Sequence, residues 1–235
     1  MISPLLSQSR LTVCLAWALA VGCAPGTRGQ ADAAWSEPPT EEAPASAIQT
    51  LTAMGAKVKP FAPPPGRHDP SSGLDCSVND GVTILRGPTG VRYSRPLRLN
   101  GAFALKLARF EALAQREAQA VFGRRLIRVE HLGTYVCRTI AGASVPSQHA
   151  TGNAIDVRAF VLAGGKRIVV KRDFVRGGAT AESPAGQFLQ RLLSQAQRER
   201  LFGTMLTPDF DQQHADHLHF DGRIWTSPWG SWWRR

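Results

Sequence analysis

The sequence predicts an α+β fold, a small antiparallel sheet with flanking helices. Apolar residues recur at helical spacing across residues 101–122, and short alternating segments follow them. Two of these segments are joined by Gly164 and Gly165, which is typical of a β-hairpin. Helices and hairpins in this order indicate helices packed against an antiparallel sheet.

The first predicted helix covers residues 101–122. Asn100 can cap its start, and Gly123 is the kind of residue at which helices end. Apolar side chains along one stripe of this helix are expected in the core: Phe103, Leu107, Phe110, Ala114 and Val121.

Two strand candidates follow this helix. Residues 126–132 alternate in the manner of a strand, and the pattern predicts Ile127 and Val129 on one face. Residues 155–160 are the second candidate, and the hairpin at the two glycines comes directly after them.

A second helix is predicted to begin at Ser183 and Pro184, because proline is favoured at the first helical position. Apolar residues then recur at helical spacing, and this helix is expected to end near Gly203. A last short strand candidate covers residues 216–221.

Three regions are predicted along the chain: a signal peptide over residues 1–22, a disordered tether over 23–72 and a folded domain over 73–235. The apolar run after Arg10 is too short to span a bilayer as a helix and is typical of a secretory signal. Small residues directly before Cys23 resemble a bacterial lipobox, which predicts lipidation of Cys23 and a membrane anchor. The alternative is an ordinary signal peptide cleaved nearby.

The tether is predicted from composition. Nine of the sixteen prolines fall within residues 24–75, and this stretch has little apolar periodicity. Such a segment cannot bury enough apolar surface to offset the entropy that ordering costs. A tether would hold the domain at a surface and let it reach away from that surface.

The formal net charge of +10 favours an anionic partner, such as a membrane surface or an acidic cell-wall polymer. The basic residues do not alternate with aromatic ones in a nucleic-acid-binding pattern, so we expect no nucleic acid partner. Export would leave Cys76 and Cys137 in the mature protein, where one disulfide is the simplest expectation. The alternative is two free, buried thiols.

Residues 147–156, which read SQHATGNAID, place His149 seven positions before Asp156 with small residues between them. Small residues allow a tight turn, so the imidazole and the carboxylate can converge from its two ends. Both groups are good zinc ligands. Taken alone, the pair is also compatible with a histidine that is bonded to a carboxylate near a turn.

A second group of histidines can supply the missing ligand. His214, His217 and His219 fall within six residues, in the segment QHADHLHFDG. In an extended chain, side chains two residues apart point to the same face, so His217 and His219 would lie side by side. His149, Asp156 and one of these two would leave one coordination position for water, as catalytic zinc requires.

Three motifs together resemble a known family. They are Tyr-x-Cys-Arg at Tyr135, Ser-x-His-Ala-x-Gly-Asn-Ala-Ile-Asp at Ser147, and His-x-Asp-His-x-His-x-Asp at His214. This set is similar to the bacterial extensin-like C-terminal family, which is related to the LAS zinc metallopeptidases of the D-alanyl-D-alanine type. The resemblance covers residues 76–222 and implies a LAS metallopeptidase-like (hedgehog or D-Ala-D-Ala peptidase-like) fold.

The resemblance also implies roles for individual residues. His149, Asp156 and His219 match the zinc ligands of those enzymes. The general base would be either His217 or Asp216, and the regular strand predicted here favours His217 because Asp216 would face away. Three further residues are expected to support the ligands from outside the metal's own coordination shell: Ser147, His214 and Asp221.

Arg138 matches an arginine that would polarise the scissile carbonyl. The expected function is therefore zinc-dependent hydrolysis of an amide bond in peptidoglycan peptides by an exported, lipid-anchored periplasmic protein. Two alternatives are a cell-wall-binding module without turnover and a scaffold that the metal only stabilises.

Overall fold

The computed structural model of the protein describes residues 46–63, 68–69, 73–140 and 143–223. Four α-helices lie within these ranges, together with two short 3₁₀ turns at Gln148–Thr151 and Gln212–His214. The helices are α1 Ala47–Ala53, α2 Gly101–Phe122, α3 Val170–Asp173 and α4 Pro184–Arg198. The strands are β1 Lys57–Pro60, β2 His68–Asp69, β3 Leu74–Asp75, β4 Gly81–Arg86, β5 Arg92–Asn100, β6 Leu126–Gly133, β7 Ala154–Leu162, β8 Arg167–Val169, β9 Thr204–Leu206 and β10 Leu218–Asp221.

Eight of the strands form one open sheet in the order β1-β4-β5-β6-β7-β10-β9, and β8 pairs with the second half of β7. The α+β class is therefore confirmed, but the sheet is larger than expected and is not purely antiparallel. Strands β5 and β6 pair in parallel, because the 22-residue helix α2 returns the chain to the same end of the sheet. Parallel neighbours need such a crossover.

Helix α2 is the centre of the core. The Asn100 side chain accepts a hydrogen bond from the Phe103 amide, and Gly123 ends the helix in the left-handed conformation at φ 61°, as predicted. Phe103 and Phe110 are buried against the aromatic rings of Phe202 and Phe220. The core therefore lies on one face of the sheet, and the opposite face is free to carry polar side chains.

Strand β6 differs from its sequence pattern. Val129 is buried, whereas Ile127 is 39% exposed, so the prediction that both lie on one face is wrong. The register with β7 shifts between Leu126 and Arg128, and this irregularity turns the Ile127 side chain away from the core. The other predicted strands and the hairpin at the two glycines are present, with β7 extending from Ala154 to Leu162.

Part of the predicted tether is folded. Helix α1 and strand β1 lie within residues 23–72, and Leu51 of α1 is completely buried. Ser46 and Gln49 form a capping box at the start of α1. The boundary at residue 72 is therefore too late, because a seven-residue helix with two buried side chains leaves almost no periodic pattern in a proline-rich sequence.

The predicted disulfide joins Cys76 to Cys137, with 5.5 Å between the two Cα atoms. The Tyr135 hydroxyl also donates a hydrogen bond to the Cys76 carbonyl oxygen at 2.9 Å. These two links hold the chain after β6 against the segment before β4. Among the described residues, none of the helices is long and apolar enough to cross a membrane.

Candidate metal centre

His149, Asp156 and His219 converge at one place, and we call these three residues the ligand triad. One ligand atom from each lies within 4.8 Å of the other two. Asp156 on β7 and His219 on β10 are direct cross-strand partners, and His149 lies in the 3₁₀ turn that leads into β7. Pairing of β7 with β10 therefore brings together side chains that are 63 residues apart.

Gly152, between His149 and Asp156, allows the turn to pack closely against the start of α2. Gly152 has a φ of 65°, and a Cβ atom there would lie 2.9 Å from the backbone nitrogen of Asn100. That nitrogen donates a hydrogen bond to the Gly152 carbonyl oxygen at 2.9 Å. The turn therefore packs backbone to backbone against the start of α2, where only glycine fits.

The His149 ring is held in one orientation. Its Nδ1 lies 2.5 Å from the Thr134 carbonyl oxygen, so Nδ1 carries the proton and Nε2 has a free lone pair. His149 is 3% exposed, and its buried Nε2 has no hydrogen-bond donor among the described residues. Nε2 lies 3.2 Å from Asp156 Oδ2, which is a second acceptor. Two facing acceptors in a buried site are the arrangement that a cation satisfies.

His219 is held by carboxylates at both ring nitrogens. Its Nδ1 lies 2.8 Å from Asp156 Oδ1, and its Nε2 lies 3.4 Å from Oδ2 of Asp221, which is 1% exposed. Burial opposes protonation of the ring, but the hydrogen bonds to Asp156 and Asp221 outweigh it and raise the pKa of His219 to about 9. Donation of Nε2–H to Asp221 would free Nδ1 to bind a metal, as in other carboxylate–histidine pairs.

The Asp156 carboxylate lies between the two rings and accepts a hydrogen bond from His219. Burial alone would raise its pKa, but the hydrogen bond and the positive charge of His219 hold the pKa well below its usual range. Metal-to-ligand distances of about 2.0–2.2 Å imply ligand atoms roughly 3.4 Å apart in a tetrahedral zinc site. The triad therefore offers two nitrogens and one ionised oxygen at separations that suit zinc.

His217 and Asp216 lie beside the triad as a hydrogen-bonded pair. His217 Nδ1 is 2.9 Å from Asp216 Oδ1, and His217 Nε2 is 3.7 Å from Asp156 Oδ1. Both residues precede β10, so the expectation that Asp216 faces away as part of a regular strand does not apply. The Asp216 side chain is 53% exposed and reaches solvent, while its carboxylate orients the imidazole.

His214 lies further from the triad. Its ring centroid is 5.2 Å from that of His217 and 5.9 Å from that of His219. His214 Nδ1 is 2.6 Å from Asp211 Oδ1, and Asp211 also caps the 3₁₀ turn. Sequence reasoning missed Asp211, although its position three residues before His214 is a capping signal.

The remaining predicted residues are Ser147, Arg138 and Cys23. The Ser147 hydroxyl accepts a hydrogen bond from the His149 amide at 3.3 Å. The Arg138 side chain is exposed, and its guanidinium donates to the Thr139 carbonyl oxygen. The Arg138 carbonyl oxygen accepts a hydrogen bond from the Ser147 amide at 3.2 Å, so the Arg138 backbone lies beside the turn that carries His149. Cys23 lies outside the described residues. The Thr134 carbonyl was also missed, because a main-chain group leaves no residue-type signal.

The sequence pattern of the family described as "Extensin-like protein C-terminus" matches residues 49–228, which include most of α1 and every residue of the triad. No curated protein and no solved structure matches the chain.

Proposed function

We propose that this chain, which belongs to the extensin-like protein C-terminus family, is a zinc-dependent hydrolase that cleaves an amide bond in peptidoglycan peptides. The observation that carries the proposal is the buried Nε2 of His149, which lacks a donor and faces a carboxylate oxygen of Asp156. We also propose that the chain has a LAS metallopeptidase-like fold, which the resemblance of its motifs to those enzymes implies.

His149 Nε2, an Asp156 oxygen and His219 Nδ1 would hold the zinc ion. Bound zinc acts as a Lewis acid that polarises a carbonyl group and lowers the pKa of water to about 7. Three protein ligands of mixed nitrogen and oxygen type favour a catalytic site, since structural zinc sites are usually closed by four protein ligands.

His217 would act as the general base. The Asp216 carboxylate accepts a hydrogen bond from Nδ1–H of His217, which leaves the Nε2 lone pair directed toward the triad. Proton uptake at Nε2 makes the ring cationic, and the adjacent Asp216 carboxylate stabilises that cation. The two candidates for the base therefore have different roles. His217 would accept the proton, and Asp216 would orient the His217 imidazole. Arg138 would polarise the scissile carbonyl and stabilise the oxyanion, as the motif resemblance implies.

The proposed location is the bacterial envelope. A signal peptide with lipidated Cys23 would deliver the protein to the periplasm and anchor it in the membrane. The Cys76–Cys137 disulfide supports an oxidising compartment, and the net charge of +10 suits peptidoglycan or another anionic envelope polymer.

Incubation of the purified protein with muropeptides tests the proposal. We expect a new amine and a new carboxylate in the products, loss of cleavage with a chelator, and recovery when zinc is restored. His149→Ala should lose both the metal and the activity. If zinc co-purifies and depends on His149, yet no muropeptide bond is cut, the chain is a metal-containing cell-wall-binding module or scaffold instead.

A further inference from the structure

A second feature lies on the polar face of the sheet. It is a cavity of about 400 Å³, within the size range of ligand-binding pockets. We call it the arginine cavity, and it is lined by Ser94, Arg95, Arg128, Glu130, His131 and Arg158. These residues come from β5, β6 and β7, the neighbouring strands at the middle of the sheet.

The arginine cavity lies beside the metal centre on the same face of the sheet. Ile155 and Val157 of β7 are buried in the core, so the alternating residues Asp156 and Arg158 share the opposite face. Two residues along a strand span roughly 6.6 Å. His131 of β6 pairs with Val157, one residue from the ligand Asp156. A substrate extended along β7 would therefore pass from the triad into this cavity.

The cavity carries uncompensated positive charge. Its one acid, Glu130, is engaged from outside the lining by Arg167, whose Nη2 lies 2.5 Å from Glu130 Oε2, while Arg128 lies 3.8 Å from the other oxygen. Arg158 is exposed and hydrogen-bonds to none of the described residues. Arg95 is held in place by a bond from Nη2 to the Leu132 carbonyl oxygen at 2.5 Å.

His131 fixes the backbone of one of these arginines. It is 5% exposed, and its Nε2 lies 3.0 Å from the Arg95 carbonyl oxygen, so Nε2 carries the proton and donates to that oxygen. This hydrogen bond links β6 to β5 beside the cavity and helps to hold Arg95 in position. The His131 Nδ1 is buried and does not reach the cavity.

We infer that the arginine cavity binds a carboxylate of the substrate, and that the hydrolase prefers peptides with a free carboxylate about two residues from the scissile amide. Guanidinium groups recognise carboxylates by paired hydrogen bonds, and the distance from Asp156 to Arg158 sets the spacing. The preference for a scissile amide depends on the proposed function, whereas the carboxylate site itself does not.

Two sets of muropeptides test the inference, one with free carboxyl groups and one in which these groups are amidated. Binding is measured by calorimetry with chelator-treated protein, and kcat/KM with the zinc-loaded protein. Arg158→Gln should weaken binding and kcat/KM for the free-carboxylate set about tenfold or more and leave the amidated set nearly unchanged. Arg109→Gln, an exposed arginine of α2, makes the same charge change elsewhere and should alter neither set.

Equal binding of both sets by the unmodified protein would overturn the inference, as would an equal loss for both sets in Arg158→Gln. Carboxylate-dependent binding through Arg158 without any hydrolysis would retain the site and refute the proposed function. The failures of the two proposals can therefore be told apart.

Discussion

The imidazole of His217 and the carboxylate of Asp216 form a hydrogen bond of 2.9 Å between Nδ1 and Oδ1. Adjacent residues of a regular strand would point to opposite faces, so this contact exists only because both residues lie in the turn before β10. The pair places a proton acceptor 3.7 Å from Asp156 and connects it to a carboxylate at the solvent surface.

Removal of the proposed base should separate catalysis from metal binding. We expect His217→Ala to lower kcat by roughly 10²–10⁴-fold, because it removes the proton acceptor. Asp216→Asn should lower kcat by about tenfold, since the oriented imidazole loses its charged partner. Zinc content, measured by elemental analysis, should stay at the level of the unmodified protein in both variants. Loss of zinc from His217→Ala would make His217 a ligand.

Asp221 should control zinc affinity although it is not a ligand. Asp221→Asn removes the charge that faces His219 Nε2, so we expect zinc affinity to fall by about 10- to 100-fold. Competition with a chromogenic chelator measures the change. Asp211→Asn is the matched control, because Asp211 contacts His214 and not the triad. The Asp211→Asn protein should bind zinc with unchanged affinity.

Zinc binding should release a proton near neutral pH. His219 has a pKa of about 9 in the absence of metal, so its ring is protonated at pH 7 and must lose a proton to become a ligand. Calorimetry in buffers with different ionisation enthalpies should show at least one proton released per zinc, since ionisation of zinc-bound water near pH 7 adds to the proton from His219. No proton release at pH 7 would contradict this assignment.

The same shifts predict how metal-free stability depends on pH. The raised pKa of His219 contributes stability below its unfolded value of 6.5, and this contribution is lost as pH rises through about 9. The lowered pKa of Asp156 contributes above its unfolded value of 3.8 and is lost as pH falls. In denaturant unfolding of the metal-free protein, these two groups should therefore contribute most to the free energy of unfolding between about pH 3.8 and 6.5. Saturating zinc should abolish the loss of stability at alkaline pH.

Gly152 should be more sensitive to substitution than a glycine of similar backbone conformation. Gly152→Ala introduces a Cβ atom 2.9 Å from the Asn100 nitrogen, in addition to the backbone strain at φ 65°. Gly165 has a φ of 85°, but a Cβ atom added there would meet no other atom within 4 Å. We expect about 1–2 kcal/mol of destabilisation for Gly165→Ala and a larger loss for Gly152→Ala in denaturant unfolding. Equal losses would show that the contact with Asn100 is unimportant.

Local sequence signals predicted the long helix and its ends correctly. Asn100 and Gly123 act through their own side chain and backbone conformation, so their effects are readable without tertiary context. The exposed position of Ile127 was not predictable, because the irregularity that turns it outward depends on the register between β6 and β7. Leu51 was missed for a similar reason, since a short helix acquires its buried face only by packing.

The sequence by itself determined which residue types were available for a metal site, and the family resemblance selected His149, Asp156 and His219 among them. Only the tertiary structure decided that Asp156 and His219 face each other, because strand pairing brings residues distant along the chain into contact. It also decided that Thr134 orients His149 and that the Arg138 backbone bonds to Ser147 beside the turn that carries His149. These are relationships of distance and direction, which a linear pattern of side chains does not contain.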